Sequence, residues 1–139
     1  MARAAGSAFV SGGDSVKVCY EGSVARIDGT VGSSVAVEIE ARTEKQVRGA
    51  ILDLICHPYE KKLLVLLDAN MNLETATRSS RGILGRFLDP TNFQVVPISG
   101  SGSSGPTDDQ VKAVRDALRF LGFDPPGDEP SPTAPEDGR

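Results

Sequence analysis

The chain has 139 residues, the size of one domain, with 39% hydrophobic residues, no Trp and 5% aromatics, so its core must be built from Val, Ile, Leu and Ala. Two cysteines are too few for a disulfide framework and match no zinc spacing, and no apolar run has the length of a bilayer span or a secretory h-region. The net charge of −4 belongs to the tail, where Asp124, Asp128, Glu129, Glu136 and Asp137 face only Arg139, which leaves residues 1–123 neutral and without the basic excess of a typical nucleic-acid binder.

Met1 to Gly13 is rich in Ala, Gly and Ser, and residues 1–15 are expected to be a flexible N-terminus. From Val16 to Val24 apolar and polar residues alternate around Gly22-Ser23, which predicts one long or bulged strand, or a strand followed by a turn. The chain stays extended to Asp28, and Gly29 to Ser34 is expected to be a turn. Val35 to Arg42 then alternates strictly: Val35, Val37, Ile39 and Ala41 face one way, and Ala36, Glu38, Glu40 and Arg42 the other.

Helix follows at once. Thr43 is a candidate N-cap, with Gln46 three residues on to complete a capping box, and Val47, Ala50, Ile51, Leu54 and Ile55 form one apolar stripe. Pro58 stops this helix near His57. The unbroken run Leu63-Leu64-Val65-Leu66-Leu67 is the pattern of a strand covered on both faces, as in parallel sheets, so strand, helix and strand make a βαβ unit. After a loop at Asp68, a helix is expected from about Glu74 to Leu88, ended by Asp89-Pro90, and Phe93 to Ile98 is a last strand whose Pro97 suits an edge or an end.

Residues 99–106 read as a Gly/Ser linker and residues 107–123 as a C-terminal helix with Asp108 and Asp109 in its first turn. The stripe Val111, Val114, Leu118 and Leu121 must dock on the main domain or on a partner, since so short a helix is marginal alone. Residues 124–139 are Pro-rich and acidic, and disorder is expected. The whole predicts an α/β domain over residues 16–98, a mixed central sheet with a βαβ unit and flanking helices.

Glu38 and Glu40 lie two apart on one strand, about 6.5–7 Å between Cα atoms. Two carboxylates this close repel unless water solvates them, Arg42 pairs with one, or a divalent cation sits between them. Mg²⁺ takes oxygen donors and keeps several waters, and Asp28 is a candidate third ligand. A cation held so activates water and offsets phosphate charge. Alternating Glu is also the pattern of a solvated sheet face.

Asp28, nine intervening residues, Glu38-Ile39-Glu40 and a capped helix from Thr43 resemble the PD-(D/E)xK nuclease superfamily, the restriction-endonuclease-like fold, over roughly residues 16–98. In that family the Asp sits on one strand and the (D/E)xK element on the next, followed by a helix and another strand. The resemblance implies that Asp28 and Glu38 are metal ligands. Glu40 stands where most members carry Lys; in members with an ExE form the second Glu helps hold metal or activate water. Ile27 replaces the family's Pro before the Asp, and Lys45 on the first turn of the helix is the candidate substitute for the missing Lys.

The leading expectation is a small Mg²⁺- or Mn²⁺-dependent nuclease, or nuclease-like protein, acting on DNA phosphodiester bonds, with Asp28, Glu38, Glu40 and Lys45 catalytic and Asp28, Glu38 and Glu40 on the metal. Arg42, Lys45 and Arg48 are the candidate phosphate contacts. So small a domain covers little DNA, which implies a homodimer or a partner protein. No membrane association is expected, and the compartment is read as cytoplasmic. The alternative is a non-catalytic interaction module of the same fold, and a third reading places a small ligand at the strand end near Asp68. His57 is expected to cap its helix as a cation, Cys19 and Cys56 to be buried as small apolar residues, and Arg78, Arg81 and Arg86 to form a second basic set on the later helix.

Overall fold

The computed structural model describes residues 1–100 and 105–126. Residues 101–104 of the expected linker and 127–139 of the expected tail lie outside the described residues. The central sheet has five strands, β1 (Phe9–Val10), β4 (Gly29–Val31), β5 (Val35–Glu40), β6 (Lys61–Leu67) and β7 (Phe93–Ile98), side by side in that order. β4 runs antiparallel to both β1 and β5, whereas β5, β6 and β7 are parallel. Their crossovers are α2 (Glu44–Cys56) and α3 (Leu73–Phe87). A separate hairpin of β2 (Lys17–Tyr20) and β3 (Ser23–Arg26) precedes β4. The protein is therefore α/β, with a mixed central sheet and flanking helices, as the pattern of runs predicts.

Strand alternation divides the core between two faces. Val35, Val37, Leu63, Val65, Val96 and Ile98 pack against α4 (Asp108–Phe120) and the short α1 (Ala2–Ala5). Ala36, Leu64, Leu66 and Val95 pack on the opposite side, with Val47, Ala50, Ile51 and Leu54 of α2, Leu84 of α3, and Val18 of the hairpin. Leu63, Leu64 and Leu66 are fully buried because β6 is the strand covered on both faces.

Several local expectations change. Residues 1–15 are not a loose leader: Ala4 and Ala5 are buried against α4, and β1 adds a strand edge to β4. The small side chains that suggest mobility are those that fit this close contact. The stretch expected to be a turn after Asp28 contains β4, and the tight turn is confined to Gly32 and its neighbours, with Gly32 at φ 59°. Gly29 is required there, since a Cβ would lie 2.4 Å from the Phe9 ring. The alternation from Val16 onward resolves into a hairpin because Gly22, at φ 84°, turns the chain.

Thr43 does not close a capping box; its hydroxyl donates to the Gln46 side chain instead. The box forms at α4, where Thr107 Oγ1 accepts from the Gln110 amide at 3.2 Å and Gln110 Oε1 accepts from the Thr107 amide at 3.0 Å. Cys19 and Cys56 are both free and exposed, not buried, because neither lies on the inward side of its element. Among the described residues no helix is long and apolar enough to cross a membrane.

Candidate active site

The antiparallel register of β4 and β5 pairs Gly29 with Val37, so one step outward Asp28 stands opposite Glu38. The two acids hold each other's strands. The Asp28 amide donates to Glu38 Oε1 at 2.8 Å, and Asp28 Oδ2 accepts from the Ile39 amide at 2.6 Å. Glu38 and Glu40 share the face toward α2, in register with the buried Leu64 and Leu66 of β6. They are 8% and 4% exposed, so this is not a solvated sheet face.

Buried carboxylates need compensation, and the two find it differently. Burial, together with the Asp28 charge and the more distant Asp53, pushes Glu38 up to about 8. Glu38 thus answers the like-charge neighbour by keeping a proton. Glu40 is held below the usual carboxylate range by Arg42. Its Oε1 accepts from Arg42 Nη2 at 2.7 Å, and its Oε2 from Arg42 Nε at 2.8 Å and from the Arg42 and Ala41 amides at 2.9 and 3.1 Å.

These acids open on a cleft of about 540 Å³, lined also by Arg26, Arg42 and, from α2, Gln46, Gly49, Ala50 and Asp53. The four α2 positions follow helical spacing and form the side of the helix turned to the cleft. Tyr20 of the hairpin donates its hydroxyl to Asp53 Oδ1 at 2.6 Å, which fastens β2 to α2 at the cleft wall. Burial and the Asp53 carboxylate push the Tyr20 phenol up, so it remains a donor.

Of the expected site residues, Asp28, Glu38, Glu40 and Arg42 meet at this cleft, whereas Lys45 and Arg48 do not line it. Lys45 immediately precedes Gln46 on α2, and one residue of helix turns a side chain by about 100°. Both basic residues are exposed, and Arg48 borders a separate shallow groove between α2 and α3. The expected basic trio is therefore divided, with Arg42 at the cleft and Lys45 and Arg48 outside its lining. Nor do the three acids converge on one point: among the described residues no three His, Cys, Asp or Glu side chains gather so as to hold a metal ion. The physical reason is local, since Arg42 engages both oxygens of Glu40 and leaves Asp28 and Glu38 as a pair. That pair is an all-oxygen donor set of the chemical kind Mg²⁺ or Mn²⁺ selects.

The sequence does not single out Arg26 or Asp53, and it offers Gln46 only as the capping partner of Thr43. Asp53 had a signal, a polar residue three positions after Ala50 on the stripe side of α2. Arg26 had none before the hairpin was known to fold over the cleft. Three further candidates make contacts within the fold. Asp68 Oδ2 accepts from the Gly100 amide at 3.1 Å, joining the segments after β6 and β7. Arg78 pairs with Glu74, and Arg81 donates to the Val95 carbonyl at 3.1 Å beside edge strand β7.

His57 is not a cationic cap. It is 3% exposed, and burial holds it below the usual imidazole range. Nε2 donates to the Ser15 carbonyl at 2.6 Å, and Nδ1 accepts from the Tyr59 amide at 3.1 Å, the pattern of a neutral ring. No protein-family model matches the chain, and no curated protein or solved structure matches it.

Proposed function

We propose that the protein is a cytoplasmic, divalent-cation-dependent nuclease of the restriction-endonuclease-like PD-(D/E)xK class, in its ExE form, acting on DNA phosphodiester bonds. The observation that carries this reading is the clasp between Asp28 and Glu38, at the mouth of a cleft that also holds Glu40 and Arg42. The order of elements supports it: an Asp heading one strand, the acidic pair on the next, then a helix and a further strand.

In this reading Asp28 and Glu38 would be the residues that hold Mg²⁺ or Mn²⁺. A bound cation supplies positive charge against the phosphate and acidifies water. Arg42, 69% exposed in its side chain, offers a planar guanidinium to a phosphate oxygen, and Arg26 borders the same cleft. Lys45 has no part in it. Two exposed thiols suit a reducing compartment. A body of this size covers little DNA, so a homodimer or a partner protein supplies the rest of the contact.

The test is cleavage of supercoiled plasmid with Mg²⁺ or Mn²⁺. Wild-type protein cuts only with the cation, and Glu38→Ala does not cut. Full activity in Glu38→Ala refutes the reading. The second reading, a non-catalytic interaction module, is favoured by one observation, the engagement of both Glu40 oxygens by Arg42. Calorimetric titration with Mn²⁺ separates them: micromolar binding supports the enzyme, and none at millimolar cation supports the module.

A further inference from the structure

We propose that the protein carries a second binding site, an apolar pocket on the α4 side of the sheet that takes a medium-chain carboxylic acid, with the alkyl chain in the hollow and the carboxylate on Arg3. The pocket lies across the sheet from the acidic cleft and does not depend on the nuclease reading.

The core on that side is closed at one end and open at the other. Val35, Val37, Leu63 and Leu118 are sealed from solvent, whereas Val65, Ile98, Val111 and Val114 in the same cluster keep 5–7% of their surface. The open end is a cavity of about 490 Å³ at the carboxyl ends of β5, β6 and β7. Ile39, Val65, Leu67 and Ile98 form its floor, Val111 and Val114 of α4 one wall, and α1 the other. A close-packed interior has few voids larger than a water molecule, whereas small-molecule sites span about 300–1,000 Å³. In open sheets with parallel strands, ligands bind at the strands' carboxyl ends. Water gains no hydrogen bond from these walls, so an alkyl chain displaces it favourably.

Arg3 fixes the polar end. Among the described residues it is the one charged side chain of the lining. Gln110, the other polar side chain there, spends its amide on the α4 capping box and on the Ser99 carbonyl. A guanidinium has five N–H donors, and Arg3 uses two of them, to the Pro106 carbonyl at 2.9 Å and to Asp108 Oδ1 at 2.7 Å. The Asp108 side chain is 96% exposed, and so open an ion pair is worth little. The unused donors are left for a ligand carboxylate, in the forked geometry arginine favours, and the Asp108 bond can be given up to it at small cost. An ammonium head would meet the wrong charge, and an alcohol would leave the attraction of the guanidinium unused.

Titration of the full chain with octanoate, 1-octanol and octyltrimethylammonium, read by NMR on the valine methyl groups, tests this. Octanoate is expected to bind at about 100 µM and to shift the methyls of Val65, Val111 and Val114, with octanol about tenfold weaker and the ammonium weaker still. Arg3→Met should weaken octanoate about tenfold and leave octanol unchanged, whereas Asp108→Asn should tighten octanoate about two- to threefold. Val114→Phe fills the hollow, so it should abolish octanoate binding without lowering the melting temperature. Val111→Phe, one turn away on the same wall, repeats the test should Val114→Phe not fold. No shift at these valines with millimolar octanoate overturns the site. Failure of both phenylalanine variants to fold does the same, since it shows that the space is not free. Octanol or the ammonium binding as tightly as octanoate overturns the carboxylate assignment, as does an Arg3→Met that binds octanoate like wild type or an Asp108→Asn that binds it more weakly.

Discussion

Asp28 and Glu38 are joined beside the β4–β5 ladder by one bond, from the Asp28 amide to Glu38 Oε1 at 2.8 Å, while Asp28 Oδ2 accepts from the next amide of the facing strand, that of Ile39, at 2.6 Å. The pairing places two acids side by side on a face that buries one of them, a cost that folding must offset. Glu38→Gln keeps the acceptor oxygen for the Asp28 amide and removes the carboxyl that must take up a proton as the chain folds at neutral pH. We expect it to raise stability at neutral pH by about 1–2 kcal/mol and to abolish Mn²⁺ binding. Urea denaturation and calorimetry together check this; a less stable Glu38→Gln that still binds Mn²⁺ contradicts it.

His57 joins three segments, since its ring bonds the Ser15 carbonyl and the Tyr59 amide from the end of α2. His57→Phe fills the space and leaves both groups without that partner, for an expected loss of about 1–3 kcal/mol. The native imidazole titrates below its unfolded value, so the unfolded chain takes up the proton first as pH falls. The stability His57 contributes is complete above about pH 6.5 and lost on acidification through its native value. The gap between wild type and His57→Phe, measured by thermal melting, should narrow from pH 7.5 to pH 5; a constant gap argues against a neutral ring.

Much of this arrangement was legible in the residues. The Val35–Glu40 alternation and the unbroken Leu63–Leu67 run identify a half-polar strand next to a strand covered on both sides, and the structure pairs them in parallel. The Asp28 to Glu38 spacing located the acidic clasp. What stayed hidden depends on tertiary contact. Composition cannot reveal that Ala4 and Ala5 fill a gap beside α4, or that the Lys17–Arg26 hairpin leaves the main sheet and brings Tyr20 to Asp53. Thr43 and Gln46 carry the letters of a capping box, yet the hydroxyl turns to the Gln46 side chain, while the same letters at Thr107 and Gln110 form the box. Local pattern states which bonds are available, and packing selects among them.

Lys62 is the buried cation of β6, 3% exposed, with its ammonium donating to the His57 carbonyl at 2.5 Å. Burial lowers it to about 8. Between that value and the ordinary lysine value of about 10.4, the unfolded chain holds the proton that the native state has lost, so the Lys62 contribution makes stability rise with pH over this range. Lys62→Met keeps the length of the side chain without the charge. It should be more stable than wild type by about 1 kcal/mol at pH 7, and the advantage should shrink by pH 10. Chemical denaturation at both pH values decides; an advantage unchanged at pH 10 shows that Lys62 is not the titrating group.

The last helix tests where the domain ends. Residues 107–123 stand beyond a Gly/Ser segment, and their apolar stripe docks on the domain itself: Leu118 is fully buried, in the cluster with Val37 and Leu63, while Phe120 on the same helix is 54% exposed. Burial, and not residue size, should set the cost of truncation here. Leu118→Ala removes apolar contacts from the sheet's α4 face and opens a cavity, for an expected loss of about 2–5 kcal/mol. Phe120→Ala, at the surface, should shift stability by no more than about 0.5 kcal/mol. Both variants should unfold in a single transition, because α4 shares one core with the sheet. A Leu118→Ala midpoint equal to that of wild type, or a separate early transition for α4, would mean that the helix is an appendage resting on the sheet.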